Sequence, residues 1–389
     1  MRLTTTQFSR LSFVGMLLML AVASCLNMRT MDDGLYAGSL ERYAPPLTWI
    51  FWLAFTIKLF LPGYKLYRPA WPIICYGVFL LWTLIPTVLS SQKGMAYNLI
   101  WLNLPFVVLL MSYNEIRNHG GHKWYNMVFA VMVVMFVIQF ARILTMILSL
   151  TDTAHLAVAY FSMYILPLAL LCESRLVKVA LIIAVIVAIM TSMKRAGVVA
   201  LILALLAYMA VSQYVADKLT PRHILYGSFA VVGMGVLFFV LGSMGEETLW
   251  ERFENIGNDN GSGRTVVWAV TMKMISELSM ASLLVGEGYN AVLANSPLSF
   301  SAHNDFLEIL YDYGIIGFVI YLFAIASVIW YALKMVLQKS PYAPNMVMML
   351  VIYLILSLIS HIAIYFWMSI VMLTFAYLIG NYERDASNK

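Results

Sequence analysis

The chain predicts an all-α, polytopic membrane protein with about twelve transmembrane helices and one large outer loop. Three observations carry that expectation. Of 389 residues, 62% are hydrophobic and 11% charged, against roughly a quarter charged in soluble domains. Mean hydropathy is +0.85. Apolar runs long enough to cross a bilayer recur almost to the C-terminus. A water-soluble globular enzyme is excluded. The net charge of +5 comes without a basic patch interleaved with aromatics, so it reads as a membrane-orientation signal and not as affinity for nucleic acid. Cys25, Cys75 and Cys172 sit in or beside apolar stretches with no paired spacing, which argues against a metal knuckle or disulfide framework.

The first apolar run, 11–27, follows Arg2 and Arg10 and ends Val22-Ala23-Ser24-Cys25, which resembles a lipoprotein cleavage box. The similar runs behind it favour a first transmembrane helix. Further spans are expected near 46–61, 71–90, 97–112, 125–149, 155–172, 177–193, 196–213, 224–243, 314–333, 346–360 and 363–381. Pro86, Pro105 and Pro167 fall inside spans, where neighbouring helices can satisfy the carbonyls a proline frees. Asn118-His119-Gly120-Gly121-His122 reads as a solvated turn, since two histidines without further ligands make no zinc site.

With the N-terminus inside, fifteen of the 24 Lys and Arg fall on one side and nine on the other. The positive-inside bias therefore puts both termini in the cytoplasm. The expected organisation is membrane helices one to nine in 1–243, an outer catalytic loop in 244–313, helices ten to twelve in 314–381 and an inner tail in 382–389. All 19 acids are expected outside the spans, which counts against a coupled transporter needing an ionisable site at mid-membrane.

Three cations stand on the outer side against the bias: Arg142 in the fifth span, and Lys194 and Arg195 in the turn Thr191-Ser192-Met193-Lys194-Arg195-Ala196-Gly197. Headgroup anchoring is one reading of them. Binding an anionic group at membrane level is the other, and their position favours it. The loop from Glu246 to Asp312 holds ten acids and three cations, so an anion site there needs placed cations. Gly261-Ser262-Gly263-Arg264 opens a helical pattern through Val267, Val270, Met274 and Leu278, setting Arg264 in a first turn suited to phosphate. A solvated Arg264 paired with Asp259 is the competing reading.

Gly286 and Gly288 frame a turn open to close backbone approach. Beyond it, 301–317 reads as an amphipathic helix running straight into the tenth span, with Phe306, Leu307, Leu310 and Gly314 on its apolar side, capped by Ser301, with His303 and Asn304 in its first turn. There the helix dipole keeps His303 neutral and able to accept a proton. A neutral imidazole, an Asn and several cations at a lipid boundary suit deprotonation of an alcohol while a pyrophosphate leaves.

These residues resemble the O-antigen ligase and polymerase superfamily of bacterial envelope glycan enzymes. The resemblance is topological along the chain and residue-level from Thr191 to Gly317. It rests on Arg264 through Trp268, Gly286-x-Gly288, and His303-Asn304 followed by Leu307 and Gly314-x-x-Gly317. The short outer turn of the family usually reads Ser-Arg; here Met193-Lys194 precedes Arg195, so either cation can hold phosphate. The resemblance implies a fold of the GT-C glycosyltransferase type in a bacterial inner membrane. It implies metal-independent transfer of a glycan from an undecaprenyl-pyrophosphate donor to a sugar hydroxyl at the periplasmic face, with no cofactor. Under it, Arg195 and Arg264 bind the donor pyrophosphate, with Lys194 and Arg142 as weaker candidates, and His303 orients or deprotonates the acceptor. Asn304, Gly286 and Gly288 complete the substrate contacts. The acceptor is a lipid A core sugar for a ligase or a second lipid-linked glycan for a polymerase. A flippase is the rival from another class, and a scaffold would leave Arg264 and His303 dispensable.

Overall fold

A computed structural model of the chain describes residues 4–30, 40–90, 95–148, 159–192, 194–216, 263–363 and 367–388. The expected ninth span, 224–243, and the loop as far as 262, with Arg252 and Asp259, lie outside them. Among the described residues all regular structure is helical. The helices are α1 (Thr5–Thr30), α2 (Leu40–Leu59), α3 (Trp71–Leu89), α4 (Met95–His119), α5 (Lys123–Leu148), α6 (Tyr160–Ala169), α7 (Arg175–Thr191) and α8 (Arg195–Val215). After 262 come α9 (Arg264–Ser276), α10 (Met280–Val285), α11 (Ala291–Asn295), α12 (Asp305–Leu337), α13 (Ala343–Ile359) and α14 (Met368–Ser387).

Five helices are long and apolar enough to cross a membrane: the stretches Thr5–Leu26, Trp71–Leu89, Lys123–Thr145, Arg195–Val215 and Asp305–Leu337. Pro46–Leu59, Tyr160–Ala169 and Ala343–Ile359 are shorter apolar helices. The count of twelve is thus an expectation, and the described chain carries five helices of spanning length.

α14 fixes the two ends of the bundle. It begins just beyond His361 and runs along α4 and α6 with its side chains buried from Met368 to Tyr382. Its far end meets the 119–122 turn. There Gly121 N–H donates to Asn381 Oδ1 at 2.8 Å, and Gly120 is so close to Arg384 that a Cβ would overlap the guanidinium. Gly120 takes φ +73, which suits glycine. The expected solvated turn is instead a docking surface for α14.

At that same end Glu115 lies just past the expected fourth span. α4 continues past the apolar run to His119, so Glu115 lies inside a helix, fully buried. It survives there because Lys58 of α2, equally buried, sits 2.7 Å away. Ser9 Oγ donates to Glu115 Oε2 at 2.7 Å, Tyr125 donates to Oε1 at 3.2 Å, and Lys58 also donates to Ser9 O at 3.0 Å. A buried charge pair is tolerated only when its remaining valences are met this way. Four helices, α1, α2, α4 and α5, share this knot.

Carbonyls in the last turn of α6 are met as polar groups in an apolar bundle must be. Asn345 of α13 donates its amide to the carbonyl of Pro167 in α6.

α12 is one helix by position but broken at Gly314, where φ is +67 and ψ −177. The carbonyls before the break find donors elsewhere: Tyr311 O accepts from Glu287 N at 3.1 Å, Asp312 O from Gly288 N at 2.8 Å, and Tyr313 O from Trp82 Nε1 at 2.9 Å. So α10 and the 286–288 turn splint the elbow on one side while α3 closes it on the other.

Candidate functional site

The outer part of α12 is amphipathic in the opposite sense to expectation. Asp305, Glu308 and Asp312 are buried, while Phe306, Leu307 and Leu310 are only half-buried. The acids point inward because they hold backbone N–H groups that have left regular structure. Asp312 accepts from Asn290 at 2.8 Å and Val292 at 3.0 Å, holding the start of α11. Asp305 Oδ1 accepts from Ile362 at 2.8 Å and Ala363 at 3.1 Å, in the stretch between α13 and α14. Glu308 lies beside Ser301 and Ala302.

The cap of α12 is Asn304 and not Ser301. Its Oδ1 accepts from Phe306 N at 3.0 Å and Leu307 N at 3.1 Å, and its Nδ2 donates to Leu358 O at 2.9 Å. Both ends of the amide are therefore committed to the protein's own backbone, which argues against the direct substrate contact expected of it. The shift of the cap by three residues moves His303 out of the first turn to the position before it, in the left-handed region at φ +50. The helix dipole still ends beside it, but His303 is presented by a bend and not by the helix.

That bend meets a residue missed in the sequence. The rings of His303 and His361 stack with centroids 4.6 Å apart and planes 26° apart. His361 occupies the stretch that Asp305 anchors. Burial, then the neighbouring His303 and Arg264, hold its imidazole well below the ordinary histidine range, so it is neutral near pH 7. A signal for it exists in the sequence: Ser360-His361 is the polar break between the last two expected spans, on the side assigned to His303.

Arg264 is the first residue of α9, behind Gly263 at φ +76, and its charge acts on His361 and on Tyr160 of α6. The ring of Tyr160 packs against Gly197, where a Cβ would stand 2.6 Å from Cε1. Arg195, two residues earlier, is the first residue of α8, behind Lys194. Neither N-cap residue, Lys194 or Gly263, caps its helix with a side chain, and each helix start turns the positive end of its dipole to this region. The starts of α8 and α9 thus both bear on Tyr160, one through Gly197 and the other through Arg264, and Arg264 also bears on His361. Lys194 and Arg195 are both half-buried.

Three expected site residues lie elsewhere. Arg142 is on an exposed face of α5, and among the described residues its side chain makes no hydrogen bond or ion pair with Arg195, Arg264 or either histidine. Gly286 and Gly288 do allow close approach, but of the chain to itself. A Cβ on Gly286 would stand 2.3 Å from Asp312 O, and one on Gly288 2.8 Å from Ser90 Cβ. The N–H groups of Glu287 and Gly288 are spent on the α12 elbow.

The arrangement of paired imidazoles and arginine-headed helix starts extends across a segment with a known likeness. Residues 179–322 match the O-antigen ligase family model. That match supports membership of the O-antigen ligase/polymerase superfamily. Members of this superfamily are membrane glycosyltransferase-like ligases and polymerases, and the match supports that activity in general. A lipid-linked glycan substrate and a multi-pass bacterial membrane setting come with it. The matched segment takes in Lys194, Arg195, Arg264, His303 and the α12 elbow, but not His361. No curated protein matches the chain.

Proposed function

We propose that this superfamily member is an O-antigen ligase, transferring a glycan from an undecaprenyl-pyrophosphate donor to a lipid A core hydroxyl at the periplasmic face of the inner membrane, with both termini cytoplasmic. The observation that carries the reading is the convergence of Arg264 with the His303–His361 stack. A leaving pyrophosphate needs cations, and an attacking hydroxyl needs a neutral base beside them.

The transfer balances as follows. The acceptor O–H bond breaks and its proton passes to His303. The acceptor oxygen bonds to the anomeric carbon, whose bond to the diphosphate oxygen breaks, and the electron pair leaves with the diphosphate. Arg264 and Arg195, each at the positive end of a helix dipole, hold the charge that develops there. Lys194 is a second cation at the same helix start. Polymerisation onto a second lipid-linked glycan uses the same parts with a different acceptor.

The test is complementation of cells lacking the chain, with envelope glycans resolved by size. Loss of a ligase leaves unattached polymer, loss of a polymerase leaves single repeats, and loss of a flippase traps lipid-linked repeats in the cytoplasm. His303→Ala should abolish glycan attachment with the protein still present, since a general base contributes about 10²–10⁴-fold. Arg264→Ala should lose about 10²–10³-fold, and Arg264→Lys should recover part of that by keeping the charge without the bidentate fork. Arg142→Ala should leave the glycan profile unchanged. Normal attachment by His303→Ala would end the proposal.

A further inference from the structure

The superfamily match stops at residue 322, yet the chain beyond it returns to the site at 358–363 through two tethers. Asn304 holds Leu358 O, and Asp305 holds the N–H groups of Ile362 and Ala363. Two consecutive residues after His303 thus grip both flanks of His361. What the double grip fixes is the face-to-face placement of the two rings.

That placement matters because of the charge around it. When His303 takes the acceptor proton it becomes an imidazolium close to Arg264, and like charges oppose that step. A neutral aromatic ring laid against the imidazolium offsets the repulsion, as an aromatic face does for any cation. In this geometry the rings overlap by their faces, so His361 supports the charge on His303 without taking the proton itself.

We propose that His361 is a positioning residue of the transferase site, held by Asp305 and Asn304 so that its ring face orients His303 and stabilises the imidazolium formed as the acceptor hydroxyl is deprotonated. This rests on the reading of His303 as the acceptor base. Among the described residues, the charged and titratable groups that bear on the pair are Arg264 from α9, whose charge acts on His361, and Asp305 from α12, which grips the flank of His361; Arg264 acts on Tyr160 of α6 as well.

The experiment uses the full chain purified in detergent. The donor is undecaprenyl-pyrophosphate-linked glycan extracted from cells lacking the protein, and the acceptor is lipid A core from the same cells. His361→Ala should lower kcat about fivefold to tenfold with the donor KM unchanged, and move the acid limb of the kcat profile to lower pH because the imidazolium has lost its support. His361→Phe, which restores an aromatic face, should return most of kcat and move the limb back. Asp305→Ala should reproduce the His361→Ala shift by releasing 362–363, and Asp305→Asn, which keeps an acceptor oxygen, should reproduce less of it. An unmoved acid limb in His361→Ala, or no rescue by Phe, would overturn the proposal while inactive His303→Ala keeps the site reading intact. Transfer by His303→Ala would instead overturn the site reading itself.

Discussion

Asn304 shows how much one side chain decides. Ser301 and Asn304 are both good cap residues, and local sequence ranks them about equally. The choice falls to Asn304 because its amide has a donor as well as an acceptor, and the donor finds Leu358 O on another helix. That long-range partner is invisible in local pattern, so the sequence located His303 and Asn304 but assigned them the wrong turn. Asn304→Ala should lower thermal stability by about 1–2 kcal/mol from the lost cap, plus the tether to α13. Asn304→Asp keeps the cap acceptor but cannot donate to Leu358, and it sets a second carboxylate beside buried Asp305. It should be no more stable than the alanine variant in detergent melting curves, whereas recovery to wild-type stability would show that the Leu358 bond contributes nothing. His361 went unread for a related reason: its partner is 58 positions away and only the tethers at 304 and 305 bring it back.

At the level of elements, hydropathy marked where helices begin and end best when the apolar run and the helix coincide. α3, α5 and α8 follow their expected spans closely. α4 outruns its span because it continues through Glu115, whose charge is met by Lys58, a tertiary partner that no apolar count registers, while α12 joins the tenth span to the amphipathic helix expected before it. Gly314-x-x-Gly317 was legible as a marker of the family, but not as an elbow. Gly314→Ala should be strongly destabilising: its Cβ would lie 2.4 Å from Leu284 O, at φ +67, which alone costs about 1–3 kcal/mol for a non-glycine residue. Trp82→Phe tests the splint more gently. It removes the donor to Tyr313 O while leaving an aromatic ring, and should cost about 1–3 kcal/mol of stability with protein still reaching the membrane. A melting temperature equal to wild type would mean that Tyr313 O finds another donor.

Across the whole molecule, chemistry gathers at the end bearing His303 while the charge pair Lys58–Glu115 locks the opposite end. Removing one partner leaves a buried charge uncompensated. Lys58→Met or Glu115→Leu alone should cost about 3–5 kcal/mol, and the double variant should regain much of it. The measurement is a double-mutant cycle on detergent melting, and additive losses would show that the pair is not coupled. Composition sufficed to place the chain in a membrane and motif spacing sufficed to name its superfamily, since both are local properties. The convergence of α6, α8, α9 and the 361 stretch was beyond them, being made by packing. The Gly314 elbow has one more consequence, for the lipid. A bilayer of different thickness changes the tilt of the spanning cylinder below it. With Trp82, Glu287 and Gly288 splinting the elbow on both sides, its angle should hold through that tilt, so the cylinder and the segment above it should rock as one piece.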